Sequence, residues 1–442
     1  MTPHEAQSSP QFSRRLGLFD ATMVVMGGII GSGIFMNPHV VATIVHTPFL
    51  ILGAWSFGGL IALVGAFIYA ELASRRPAVG GQYAYIREAY HPLLAFLFGW
   101  GLFLVSTSGG LAAVAMTFAR YYIELTGTTL PEWSIAVTTL ALLTLINCFG
   151  VRTGSVVQST LMVLKIAAIV LLVICGITLV HDNKLSIQAP SIPLESFDLL
   201  TSFGAAMVPV MFAFGGWQTS CFIAGEIREP EKNLPRGLLI GVVGVVVLYL
   251  AVNIVSLRAL GAEGLAQSRT PASDVMRAAL GDRGATIIAL GIAVSTLGFL
   301  SQGVLTSPRV YYAMARDGLF FQSVARLHPI TRVPVVAILM QGLIAILIAV
   351  SGTYEQILSY VVSDDFIFFG LSASCIFIFR KRDRNAHQPF AIPGHPYTTA
   401  VFILVCVAIV ANTVYSYPVN TLIGIGILFT GIPVYFIWKR TT

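Results

Sequence analysis

Apolar residues fall in long blocks along this chain, separated by short polar connections. Twelve blocks, centred near residues 30, 60, 107, 140, 168, 210, 248, 298, 342, 368, 407 and 430, are long enough for membrane-crossing helices. Such a helix needs about 20 residues to span a hydrocarbon core about 30 Å thick. Barrel strands would be shorter and would alternate every second residue; these blocks do neither. The pattern predicts an all-α integral membrane protein with 12 transmembrane helices. The longest polar connections are 181–198, 261–284, 317–333 and 380–396, so little chain is left for a soluble domain.

Two blocks carry the same flaw. Residues 27–35 read GGIIGSGIF, and residues 212–217 read FAFGGW with Pro209 just upstream. Glycine inside a helix costs roughly 0.5–1 kcal/mol relative to alanine, so both helices are weak where hydrocarbon demands a satisfied backbone. The breaks fall in the first and sixth predicted helices. Two five-helix repeats would give that spacing, and because five is odd the second repeat enters from the opposite side. Unwound backbone at membrane depth is tolerated only where protein encloses it or it lines a cavity. There, the free N–H groups that start one half-helix and the carbonyls that end another suit a zwitterion. Glycine-interrupted segments at corresponding places in two halves point to a transporter's binding site. Close helix packing is the competing explanation for a single GSG.

Composition agrees. Of 442 residues, 56% are hydrophobic and 10% charged, against about 25% charged in soluble domains. With the N-terminus in the cytoplasm, Arg14, Arg15, Arg75, Arg76, Arg380, Lys381, Arg382, Lys439 and Arg440 fall inside. Arg120, Lys184, Arg258, Arg269, Arg277 and Arg283 fall outside. This bias predicts that both termini are cytoplasmic, and it accounts for the net charge of +6 without a nucleic acid partner. The first fifteen residues are polar, and no removable signal peptide is read. Cys148, Cys175, Cys221, Cys375 and Cys406 lie in or beside predicted helices and read as small apolar residues, not as a disulfide framework. The eight histidines show no metal-ligand spacing, and no nucleophile–base pair is apparent at depth. No metal, no cofactor and no enzyme activity are expected.

Longer stretches carry a family likeness. GGIIGSGIFMNP (27–38), YAELASRRPAVGGQYAYIREAYHPLLAFLFGW (69–100), FAFGGWQTSCFIAGEIREPEKNLPRG (212–237) and LTSPRVYYAMARDGLF (305–320) resemble, in order and spacing, the amino acid–polyamine–organocation (APC) superfamily. GGW followed by EPEKNLPR is similar to its L-type amino acid transporter (LAT) branch. The resemblance implies a LeuT-type fold, a 5+5 inverted repeat with broken helices 1 and 6. It implies a cytoplasmic tail at 1–15, repeats at 16–180 and 199–380, and two further helices at 397–438. By the same likeness, the backbone of Ile29, Ile30, Gly31, Ser32 and Gly33 holds the substrate's carboxylate and amine. That of Phe212, Phe214 and Gly215 completes the ammonium site, and the Phe212 ring acts as the gate. Ser32 adds a hydroxyl donor, unless that hydroxyl bonds back to a helix carbonyl.

Lys165, in LMVLKIAAIVLL, lies roughly nine residues into helix 5, about 13 Å deep at 1.5 Å per residue. A charge at such depth costs several kcal/mol and usually marks function, although a lysine stem can also snorkel to the headgroups. The resemblance gives this lysine the place of a coupling cation, bonded to carbonyls near Gly28 and to the Ser295 hydroxyl. Trp217 is expected to pack below the gate. Glu226, Arg228, Glu229, Glu231 and Lys232 read as a solvated salt-bridge cluster. Asp364 and Asp365 read as helix-start aspartates favoured by the dipole, with outer-gate charges as the other reading.

The resemblance implies sodium-independent exchange of neutral L-amino acids, by alternating access, across a prokaryotic inner membrane. The alternative is a proton-coupled amino acid or amine symporter on the same fold, with Lys165 carrying the proton. A receptor without turnover and a channel are disfavoured: no signalling domain is appended, and the breaks suit an occluded small zwitterion. The sequence departs from the family pattern in two places. The loop YYIELTGTTLPEW (121–133) lacks the cysteine that bonds a heavy chain in animal relatives, so no disulfide-linked heavy chain is expected. Gln218 stands where many relatives have Asn or Asp, which bears on side-chain selectivity.

Overall fold

The structure, a computed structural model, describes residues 16–77, 80–149, 155–181, 183–185, 196–222, 224, 227–328, 333–383 and 390–441. The predicted tail at 1–15 and Glu226 lie outside them. Helices follow one another almost without interruption: α1 (Leu18–Ile29), α2 (Gly33–Val45), α3 (Pro48–Arg75), α4 (Gln82–Ala89) and α5 (Pro92–Gly101). A π-helical turn, Leu102–Ser106, leads into α6 (Thr107–Thr126), followed by α7 (Glu132–Cys148) and α8 (Ser155–Thr178). Then come α9 (Ser196–Phe214), α10 (Thr219–Phe222), α11 (Pro230–Gln267), α12 (Pro271–Thr306) and α13 (Pro308–Arg316). The chain ends with α14 (Val335–Ser351), α15 (Tyr354–Arg382), α16 (Tyr397–Ser416), α17 (Pro418–Phe429) and α18 (Gly431–Thr441).

Nine helical runs among the described residues are long and apolar enough to cross a membrane, and three shorter apolar helices accompany them at 132–148, 162–178 and 335–351. Their surfaces show where lipid lies. On α14, Leu339, Leu343, Leu347 and Val350 are exposed along one stripe, while Ala337, Gln341 and Ala345 are buried on the other. An exposed apolar stripe at helical spacing with small or polar residues inside is the reverse of a soluble helix. Sequence starts the helices where it should. Thr47 accepts from the Leu50 amide ahead of Pro48, and Thr353 and Gln356 close a reciprocal capping box on α15.

One predicted connection turns out helical. Residues 261–284, expected as a polar loop, continue α11 and α12 with turns at Gly261 (φ +72) and Gly281 (φ +67). Glycine takes these backbone angles without strain, so each helix bends and runs on. Arg277 gathers this cap, bonding Asp274, Asp282 (3.2 Å) and Glu124 on α6 (2.5 Å).

In the interior, α11 packs along α3 and α1, α12 along α6 and α8, and α2 along α9. Glu71 of α3 is fully buried. It accepts from Arg75 Nε (2.7 Å), from Arg380 of α15 (2.7 and 2.8 Å) and from the Ile392 amide ahead of α16 (2.7 Å). One carboxylate thus ties three segments distant in sequence. Removing one partner of a buried pair strands the others, at a cost of about 3–5 kcal/mol. Glu71→Ala is therefore expected to lower the unfolding midpoint of the detergent-solubilised protein far more than Glu229→Ala, whose exposed pair with Lys232 (3.1 Å) contributes little. Equal midpoints would refute the locking role.

Candidate functional site

The first break lies between α1 and α2, at Ile30, Gly31 and Ser32. Stopping α1 frees carbonyls, and two side chains take them. The Lys165 ammonium donates to Ile30 O at 2.6 Å, and the Tyr249 hydroxyl lies 3.1 Å from Ile29 O. The cation also meets the negative end of the half-helix dipole. Beyond the break, the first amides of α2 have no acceptor within their own helix. The chain therefore presents donors there, while the Ile29 and Ile30 carbonyls are engaged behind.

The second break follows α9. Residues 215–218 form a turn before α10, with Gly216 at φ +108, where only glycine is unstrained. Gln218 folds back so that its Oε1 accepts from the Gly216 amide (3.0 Å), and the Thr219 hydroxyl donates to Gly216 O (2.7 Å). The two breaks touch backbone to backbone. A Cβ on Gly216 would run into Gly28 O, and one on Gly33 would sit 2.5 Å from Ala213 Cα. Tyr249 completes the contact, its hydroxyl lying 3.2 Å from Ala213 O as well as beside Ile29 O. Nothing in the sequence marked Tyr249; its role depends on α11 crossing both broken helices.

A cavity of about 140 Å³ opens between the breaks, several times the roughly 10–15 Å³ that one water needs. Ile29, Gly31, Ser32 and Gly33 line it from the first break, with Gly28 beside them, and Phe212 and Gly215 from the second. Ser32 Oγ is buried without a hydrogen-bond partner at standard geometry. The back-bonded alternative is thus not observed. Gln218 lines the cavity, while Trp217 is fully buried against Phe369, ring centroids 4.8 Å apart.

Two expectations need correction, and two residues stand one layer behind the cavity wall. Ile30 stands behind the cavity lining, with its carbonyl turned to Lys165. Phe214, expected to contribute its backbone, has its ring buried against Trp55 and Tyr249, at 5.7 and 5.1 Å, behind the lining. Lys165 does reach a carbonyl near Gly28, that of Ile30, but not Ser295, whose Oγ has no hydrogen-bond partner at standard geometry. Asp364 and Asp365 are not at a helix start. α15 begins at Tyr354, so they stand ten and eleven residues inside it, about 15 Å along. There both face Ser106, and Asp365 lines the cavity.

A second cavity, about 590 Å³, lies further along α6 beside Met116 and Arg120. Phe212 lines the first and Tyr354 the second, and their rings pack edge-on with centroids 6.3 Å apart. Tyr354 is itself held. Its hydroxyl donates to Asn37 Oδ1 (2.9 Å), the Asn37 amide donates to Pro209 O (2.5 Å), and the Arg120 guanidinium lies over its ring at 5.6 Å.

Comparison with known proteins matches the amino acid permease family to residues 16–438. The large neutral amino acids transporter small subunit 2 of Mus musculus is 30% identical over 431 residues, 96% of this chain and 81% of that protein. The serine/threonine exchanger SteT of Bacillus subtilis (strain 168) is 28% identical over 436 residues, 97% of each chain. The human cystine/glutamate transporter is 27% identical over 443 residues, 98% of this chain and 87% of that protein.

The contact between the breaks yields a direct test. Gly216→Ala forces a Cβ against Gly28 O and an alanine into a glycine conformation, a strain of order 1–3 kcal/mol before any clash. It is expected to lower the unfolding midpoint and abolish uptake in proteoliposomes. Gly426→Ala, with open space around it, leaves both unchanged. Wild-type uptake by Gly216→Ala would show that the close approach is dispensable.

Proposed function

We propose that this chain, which belongs to the amino acid permease family, exchanges neutral L-amino acids across its membrane without sodium, by alternating access. It is a multi-pass membrane protein, and its relatives are transporters and exchangers, not enzymes. The observation that carries the reading is the pair of half-helix ends around one cavity. The amides that open α2, with the Ser32 hydroxyl, take the carboxylate of an amino acid. The carbonyl end of α9, around Phe212 and Gly215, takes its ammonium. Ile30 and Phe214 act one layer behind, Ile30 through Lys165 and Phe214 by packing.

Nine long apolar runs and three shorter apolar helices support twelve spans. In this reading the spans at 16–180 and 199–380 form two inverted five-helix repeats, and those at 397–438 stand outside them. The Lys165 ammonium supports sodium independence, because it takes the freed carbonyl that a bound sodium ion would need. Exchange is supported by the activity named for the Bacillus subtilis relative. The basic residues support an inner membrane location with both termini in the cytoplasm, and the cysteine-free loop at 121–133 supports a chain that works without a disulfide-linked heavy chain. In this reading the Phe212–Tyr354 contact closes the site from the larger cavity, on the side of Arg120.

The test uses purified protein in liposomes loaded with unlabelled alanine, leucine, lysine or nothing, in choline buffer. Uptake of labelled substrate that requires substrate inside and ignores a proton gradient is the expected result. Accumulation in empty vesicles, driven by an inward proton gradient, would overturn exchange in favour of proton symport. Phe212→Ala is expected to reduce exchange at least tenfold while the protein remains folded in the membrane; unchanged uptake would refute the gate.

A further inference from the structure

One wall of the substrate cavity is acidic. Ser106, at the end of the π-helical turn, stands 2.7 Å from Asp364 Oδ2 and 2.8 Å from Asp365 Oδ1. A hydroxyl has one proton to give, so it serves one carboxylate. The second contact is a hydrogen bond only if the other carboxyl carries a proton and donates it to Ser106 Oγ. Adjacent carboxylates do not both stay ionised in a buried site, and with one proton the pair keeps a single negative charge. Among the described residues, no arginine, lysine or histidine bonds either carboxylate, and Asp365 is the one ionisable side chain in the cavity wall. Asp364 Oδ1 is buried with no partner at all, and Asp364 itself is 4% exposed.

The surrounding backbone is shaped around this pair. A Cβ on Gly101 would sit 2.5 Å from Asp364 Oδ1, so that glycine clears the space. The wound-out turn 102–106 brings Ser106 to the carboxylates, and π-turns recur at functional sites. A second polar group stands in the same cavity: Ser32 Oγ, 1% of its residue exposed, has no partner at standard geometry and lies beside the Tyr354 hydroxyl. Buried charges need a partner.

We propose that Asp364, Asp365 and Ser106 form a subsite for a second cationic group on the substrate, a side-chain ammonium such as that of lysine or ornithine. The proposal rests on the reading above that an amino acid occupies this cavity, and it replaces the neutral side chain of that reading with a cationic one. With the α-carboxylate at the start of α2, the side chain extends toward α15 and the ammonium supplies the missing positive partner. A neutral side chain of equal length fills the same space but leaves the acidic pair uncompensated.

The deciding comparison is lysine and ornithine against norleucine, which is lysine without its side-chain ammonium. Each competes against labelled substrate in proteoliposomes of wild-type protein, in choline and in sodium buffer. Lysine is expected to compete about tenfold or more better than norleucine, as a charged hydrogen bond gives. In Asp365→Asn the lysine-to-norleucine ratio is expected to fall to one or below. Norleucine matching or beating lysine in wild type overturns the proposal while leaving amino acid exchange intact, and it decides the matter even if the variant does not fold. A sodium-stimulated norleucine signal with no advantage for lysine also overturns it, since the pair would then serve a free cation. If no amino acid exchanges at all, the reading of the cavity falls and this subsite with it.

Discussion

A helix that stops inside a membrane leaves carbonyls that lipid cannot satisfy. The bond from the Lys165 ammonium to Ile30 O resolves that problem for α1, and the rest of the site is arranged around it. Each partner is costly alone: a buried ammonium without acceptors, and a buried carbonyl without donors. Together they compensate. The Phe299 ring, 5.6 Å from the ammonium, adds a cation–π contact on a side facing the cavity. With the Ile29 and Ile30 carbonyls engaged, the donors of α2 are left to face the cavity. The break thus becomes polar in one sense only, which gives a zwitterion an orientation.

Coupling between the two breaks follows from contacts too close for side chains. Gly28 against Gly216 and Gly33 against Ala213 leave no layer of atoms that could slide to absorb a shift. The Tyr249 hydroxyl, within reach of a carbonyl on each helix but with one proton, can favour either. Movement of α1 or α2 is therefore felt by α9 and α10 directly, through backbone. On the far side, Phe212 belongs to the same α9 and meets Tyr354, whose hydroxyl reaches Asn37 of α2. The closure above the cavity and the contact below it are built from the same two helices, so opening one side while the other stays closed is a rearrangement of a single unit.

What was legible in the sequence was whatever depends on local backbone cost. Both breaks could be read because glycine is expensive inside a helix, and Ile29, Gly31, Ser32, Gly33, Phe212 and Gly215 do line the cavity. The depth of Lys165 was legible from counting along α8, and an acceptor near Gly28 was expected, but which carbonyl it would be was not legible. Ile30 and Gly28 differ by two residues, about 200° around a helix, and only the packing of α8 on α1 decides between them. The aspartates were misplaced for a related reason. Hydropathy sets a helix's centre better than its start, and the capping pair Thr353 and Gln356 begins α15 earlier than the apolar block suggests. Ser106 gave no signal at all, since its position depends on one extra residue in a turn.

Two buried groups of opposite sign now stand near one cavity without bonding each other, Lys165 behind the first break and the acidic pair on α15. Had they paired, the interior would be electrically complete and the cavity would favour an apolar occupant. Kept apart, each depends on something else, the ammonium on a backbone carbonyl and the carboxylates on a shared hydroxyl and a proton. In a low-dielectric interior such separation is expensive, since Coulomb interactions there are many times stronger than in water. The fold maintains it by giving Lys165 a helix end and Asp364 a gap cleared by Gly101. That cost is sustained by packing elsewhere, in the Glu71 cluster and the long contacts of α11, and it leaves the cavity with an electrostatic demand that a bound ligand can meet.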